Sequence, residues 1–116
     1  MSADTTTALA AIRLGLDTLR THALGDTADH EDHVTVLQAL YDDRDREGSV
    51  LGMLSELITD LGIVLGEQGA EDVAETIDEA AGYVQDSAGM RLERARAVLT
   101  EGAPAGPPQA ETSQNR

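Results

Sequence analysis

Three histidines, His22, His30 and His33, fall within twelve residues of one another. Imidazole nitrogens grouped this way are ligands that zinc prefers, and Asp26, Asp29, Glu31 and Asp32 lie among them as carboxylates able to orient the rings. Carboxylates beside imidazoles also favour the protonated form, which makes the cluster a candidate pH-responsive hinge. A simpler reading competes with both. A histidine in a helix's last turn complements the dipole there, as His22 would, and His30 and His33 are polar residues at a helix entrance. The simpler reading is adopted, and no metal or cofactor is assigned.

Paired carboxylates come next. Glu56 and Asp60 are one helical turn apart, and Glu71, Glu75, Asp78 and Glu79 follow on the next segment. Acid pairs on adjacent helices can hold magnesium through oxygen. In this they resemble the all-α nucleotide pyrophosphohydrolases, and that resemblance would imply a metal-dependent nucleotide hydrolase. The spacing of Glu56 and Asp60 departs from that family's pattern, and there is no Lys or aromatic cluster to grip a nucleotide. Glu56 and Asp60 also lie about 200° around a helix from Leu54, and Glu75 is equally far from Ile77. With Leu54 and Ile77 taken as core, these acids point outward, as a solvated face.

Other chemistry finds less support. There is no Cys, and Ser2, Ser49, Ser55, Ser87 and Ser113 have no nucleophile elbow or neighbouring base. Gly62 and Gly66 suit close approach of two helices better than a phosphate loop. Arg91, Arg94 and Arg96 form the basic spot of the chain, with Glu93 at hand to pair with them and an anion or partner contact as the alternative use. No catalytic residue is assigned.

The elements that must carry these residues are helices. In the first, Leu9, Ile12, Leu16, Leu19 and Ala23 recur at steps of 3, 4, 3 and 4, which predicts a helix over about 5–24. Gly25 supplies its stop, where a left-handed residue is usual. Asp26, Thr27 and Asp29 offer N-cap oxygens to a second helix over 29–43, with His30, Val34, Leu37 and Tyr41 on its apolar face. The third, 49–66, carries Val50, Leu54, Leu57, Leu61 and Val64 and is expected to be the most buried, ending at Gly66 and Gly69. The fourth, 71–100, has its stripe at Val73, Ile77, Ala81, Val84, Ala88, Leu92, Ala95 and Leu99, with a kink or break expected near Ser87, Ala88 and Gly89 because interior glycines weaken a helix. The expected fold is all-α, an antiparallel four-helix bundle over 1–102, followed by a disordered tail over 103–116 rich in Pro, Gly, Gln and Ser.

Composition sets the function class. The 116 residues hold 22 Asp and Glu against 8 Arg and no Lys, a formal charge of −14. That field repels phosphate backbones and anionic membranes and favours basic partners. Use of Arg alone, with abundant Ala, Gly, Asp and Thr, points to a high-GC bacterial genome. Met1 to Asp4 lack the basic and apolar regions of a signal peptide, and the apolar run from Val50 to Leu65 is short and interrupted by Glu56 and Asp60. A cytoplasmic protein is expected, without direct nucleic-acid or membrane contact. With only two aromatic residues, Tyr41 and Tyr83, the core should consist of Leu, Ile, Val, Ala and Met. Leu14, Ile63 and Met90 lie off the stripes, and if they share a face it would serve a partner or a homo-oligomer. The expected function is therefore non-enzymatic: protein–protein interaction, as a regulator, adaptor or assembly factor, or as a DNA mimic. The alternative is a metal-dependent enzyme, or a metal or pH sensor, using His22, His30 and His33 or the carboxylates of the third and fourth helices.

Overall fold

The computed structural model describes residues 2–101; the tail expected over 103–116 lies outside them. The protein is all-α, with α1 (Ala3–Leu24), α2 (His30–Leu40), a 3-10 turn (Arg46–Gly48), α3 (Val50–Glu67), α4 (Glu71–Gly82), a π-helical segment (Tyr83–Gly89) and α5 (Met90–Glu101). These match the four expected helices, the fourth running from Glu71 to Glu101 through its π segment. The described residues form two compact units, one up to Val36 and one from Leu37.

In the first unit, the Ser2 hydroxyl accepts the Thr5 amide at 3.1 Å and starts α1 two residues earlier than its apolar stripe suggests. Gly25 ends the helix, but with extended backbone (φ −64°, ψ 157°) in place of the expected left-handed turn. Glycine is needed there for another reason: a Cβ would sit 2.9 Å from the Thr21 carbonyl oxygen, which accepts the Gly25 amide. Asp29 and Asp32 then form a reciprocal capping box. The Asp29 carboxylate accepts the Asp32 amide at 3.0 Å, and the Asp32 carboxylate accepts the Asp29 amide at 2.9 Å. The bond from the Asp32 amide holds the Asp29 carboxyl below its ordinary pKa.

The second unit begins within α2, which stops at Leu40 and not at 43. There the Asp42 carboxylate accepts the Arg44 amide at 3.0 Å and the Gln38 side chain at 3.0 Å, giving the backbone an alternative to the helical ladder. Tyr41 is fully buried and is the largest such side chain, so the core is not purely aliphatic as expected. Its ring lies on Gly89, where a Cβ would stand 3.0 Å from Cδ1 and Cε1.

Gly89 closes the π segment, so the expected kink is a widening of a continuous helix. The Met90 amide reaches back to Gln85 O and Ser87 O, and the Arg91 guanidinium donates to Ser87 O (3.1 Å) and Oγ (2.9 Å). The Met90 amide and the Ser87 carbonyl thus keep partners in the wider turn.

α3 starts on Ser49, a buried N-cap whose hydroxyl accepts the Gly52 amide at 3.3 Å and donates to Arg46 O at 3.0 Å. A Cβ on Gly52 would overlap the Arg46 carbonyl, so the 3-10 turn lies directly on the first turn of α3. The helix ends at Gly69 (φ +92°), where the Ala70 amide reaches Leu65 O and the Gly69 amide Gly66 O. Gly66 does not end the helix. It lies inside it, with Ala74 on α4 packed against it.

Candidate functional site

α3 has two usable faces, and the hairpin with α4 takes the unexpected one. Gly52, Ser55 and Gly62 are buried, while Leu54, Leu57, Leu61 and Val64 are 42–65% exposed. The expectation that this leucine stripe is the most buried surface of the molecule is therefore overturned. The reason is close approach. A Cβ on Gly62 would lie 3.3 Å from Ile77 Cγ2 and 3.5 Å from Ala74 O, and Ser55 Oγ donates to Ala81 O at 3.2 Å. Small residues let the antiparallel backbones come together, and Ser55 uses that closeness for a buried interhelix bond. A leucine stripe would hold the helices farther apart.

The open stripe has regular geometry. Val50, Leu54, Leu57, Leu61 and Val64 follow steps of 4, 3, 4 and 3, the spacing of a coiled-coil seam. At about 100° per residue, Met53 joins them on an arc roughly 100° wide, opposite the buried glycines. Glu56, Asp60 and Glu67 line one edge of that arc. Along the other edge lie Leu51, Ile58 and Leu65, which are half-buried.

The remaining candidates separate into local roles. His22 Nε2 stands 3.1 Å from Asp32 Oδ1, and His33 Nε2 donates to Ala23 O at 3.0 Å. These two histidines tie the end of α1 to the start of α2, each through a different partner. His30 is half-buried at the first position of α2. Among the described residues, no three His, Asp or Glu side chains are placed to share a metal ion. That includes His22, His30 and His33, and also Glu56, Asp60, Glu71, Glu75, Asp78 and Glu79.

Glu56 and Asp60 are exposed, yet they do not face open solvent alone. With Asp43, Asp45, Glu47 and Arg46 they line a polar cleft of about 650 Å³ beside the 43–47 segment. Their position opposite Leu54 had marked them as outward only because Leu54 was taken as core.

Arg96 pairs with Glu93, whose other carboxylate oxygen accepts the Asp43 amide at 3.2 Å. Arg91 is held by Ser87, and Arg94 lines an apolar groove with Leu37, Ala95, Val98 and Leu99. The arginine cluster is thus divided among separate structural tasks. Leu14, Ile63 and Met90 are exposed as expected. Ile63 lies about 100° or more from the leucine seam, so it does not extend that face. The open seam was missed because its residues are the most apolar in the chain. The signal that would have found it is the second face of α3, the row Gly52, Ser55, Gly62 and Gly66. No protein-family model matches this chain, and no curated protein or solved structure matches it either.

Proposed function

We propose that this protein acts without catalysis, by docking a helix of a protein partner along the open seam of α3. The observation that carries the reading is the row of Leu54, Leu57, Leu61 and Val64, about half exposed at coiled-coil spacing while α4 is held by small residues on the other face. A contiguous apolar patch on a strongly acidic protein marks an interaction site. Covering each of these side chains is worth roughly 2 kcal/mol before the cost of association.

The acids Glu56, Asp60 and Glu67 along one edge choose the partner. Residues flanking a seam set pairing by charge, so the complementary helix carries Arg or Lys beside its own apolar stripe. A regulator, adaptor or assembly factor working in the cytoplasm fits this description, and a partner with a basic surface fits the net charge of −14.

The test is a titration of a fluorescent synthetic amphipathic helix, in one version with Lys at the flanking positions and in another with Glu. The lysine version should bind the full chain and the glutamate version should not. Leu57→Asp with Leu61→Asp should abolish binding while helicity by circular dichroism is retained. Equal affinity of the parent and the double variant for the lysine peptide overturns the proposal.

A further inference from the structure

Resting on that docking reading, we infer that the occupant of the α3 seam is α1 of a second copy of this chain, in a reciprocal dimer. α1 is 22 residues long with no buried residue. Its stripe of Leu9, Ile12 and Leu16 is 43–56% exposed, and Leu19 continues it at coiled-coil spacing. A helix of this length needs its apolar face covered to be stable in water. Both stripes are exposed, and each calls for a helix with the other's pattern.

Charge and register select the pair. Arg13 and Arg20 lie on one edge of the α1 stripe, two turns apart, as Asp60 and Glu67 do on α3. Laid parallel with Leu16 level with Leu61, four apolar layers coincide: Leu9 on Leu54, Ile12 on Leu57, Leu16 on Leu61 and Leu19 on Val64. In the same register Arg20 falls beside Asp60, in the flanking relation that parallel coiled coils use for ion pairs, and the stem of Arg13 runs along Met53. On the opposite flank α1 presents the small Ala8 and Gly15 to the larger, half-buried Ile58 and Leu65.

Pairing α3 with α3 of another copy fails the same tests. Run antiparallel it opposes acids to acids, and run parallel it sets Asp60 against the apolar edge of Ile58 and Leu65. The exchange of α1 for α1 between two copies closes two seams at once, an isologous arrangement. Leu9, Ile12, Leu16, Leu54, Leu57, Leu61 and Val64 of both copies, the exposed members of these layers, remove roughly 1,300 Å² of surface, within the range of specific interfaces.

Light scattering and sedimentation of the full chain over a concentration series test this. The expected mass is twice the 12.2 kDa of one chain, falling toward one copy on dilution. Arg20→Glu alone and Asp60→Arg alone should each weaken the dimer about tenfold or more, with helicity unchanged because both positions are exposed or at the surface. Mixing the two variants should restore it, since the acidic α1 of one then meets the basic α3 of the other while the unaltered pair completes the second seam. A chain that stays monomeric at all concentrations overturns the inference, as does a dimer whose dissociation is unmoved by either charge variant and by Leu16→Asp. Binding of the lysine peptide to a monomeric chain would refute the second copy as occupant and leave the docking face standing. Loss of both would remove the docking face as well.

Discussion

Two glycines in one helical run should respond to the same substitution with opposite sign. Gly82 has helical backbone, and a Cβ placed on it meets nothing within 4 Å. Gly82→Ala should therefore gain the helix-propensity difference, about 1 kcal/mol. Gly89 gains the same term but meets the Tyr41 ring, with the new Cβ 3.0–3.1 Å from Cδ1, Cε1 and Cζ. Tyr41 is fully buried, so its ring cannot swing into solvent to make room. Overpacking of this kind costs about 1–3 kcal/mol, which outweighs the propensity gain and leaves Gly89→Ala destabilised by about 1 kcal/mol. The two variants should differ by about 2 kcal/mol, enough to separate urea midpoints by about 1 M at equal slope. A Tyr41→Ala background removes the obstacle, and there Gly89→Ala should turn stabilising, with a coupling of about 2 kcal/mol. If Gly89→Ala stabilises the parent as much as Gly82→Ala does, the close packing of Tyr41 on the π segment is not what shapes this region.

The inverted faces of α3 make a second stability comparison. Ser55→Ala loses the buried bond to Ala81 and should cost about 0.5–1.5 kcal/mol, whereas Leu57→Ala, in solution dilute enough to be monomeric, should cost under about 0.5 kcal/mol; denaturant titration that ranks them the other way refutes the orientation of α3. Burial, and then the charge of Asp43, push the Tyr41 phenol above its ordinary pKa of 10.0. Stability gained by keeping it neutral is thus complete below about pH 10 and lost as pH rises through the higher folded value. Tyr41→Phe should flatten that alkaline loss in a melting series, and an unchanged slope would show that the phenol does not ionise from the core.

The helices were legible because their signals are local. Asp29 is a side-chain cap and Gly69 the left-handed stop of α3, both readable from neighbouring letters, whereas the caps Ser2 and Ser49 emerge only in the structure. What could not be read locally was the choice between faces. α3 offers a leucine stripe and a glycine–serine row, and hydrophobicity alone ranks the first as interior. The decision depends on what α4 brings, namely the small Ala74 and Ala81, which reward close approach, and Ile77, which needs the space over Gly62. Tyr41 was expected inside the second helix and instead follows its last residue, Leu40, and its partner Gly89 is 48 residues away, beyond any periodicity. His22 and His33 both act at the junction of α1 and α2. Their partners, Asp32 and the Ala23 carbonyl, belong to helix ends and leave no shared point for a metal.

The acidic composition and the open leucines bear on each other. An exposed apolar seam on a neutral protein invites indiscriminate association, whereas a charge of −14 opposes every acidic surface that is not matched to it in register. Asp60 and Glu67 bring that repulsion to the rim of the seam, where it penalises any helix lacking a cation in register. On the proposed docking, apolar area supplies the affinity and charge the discrimination. The carboxylates of α3 that first suggested a metal have a different use in this account. They stand beside the seam to decide what may lie on it, and Arg20 of a second copy is the counter-charge the sequence itself provides.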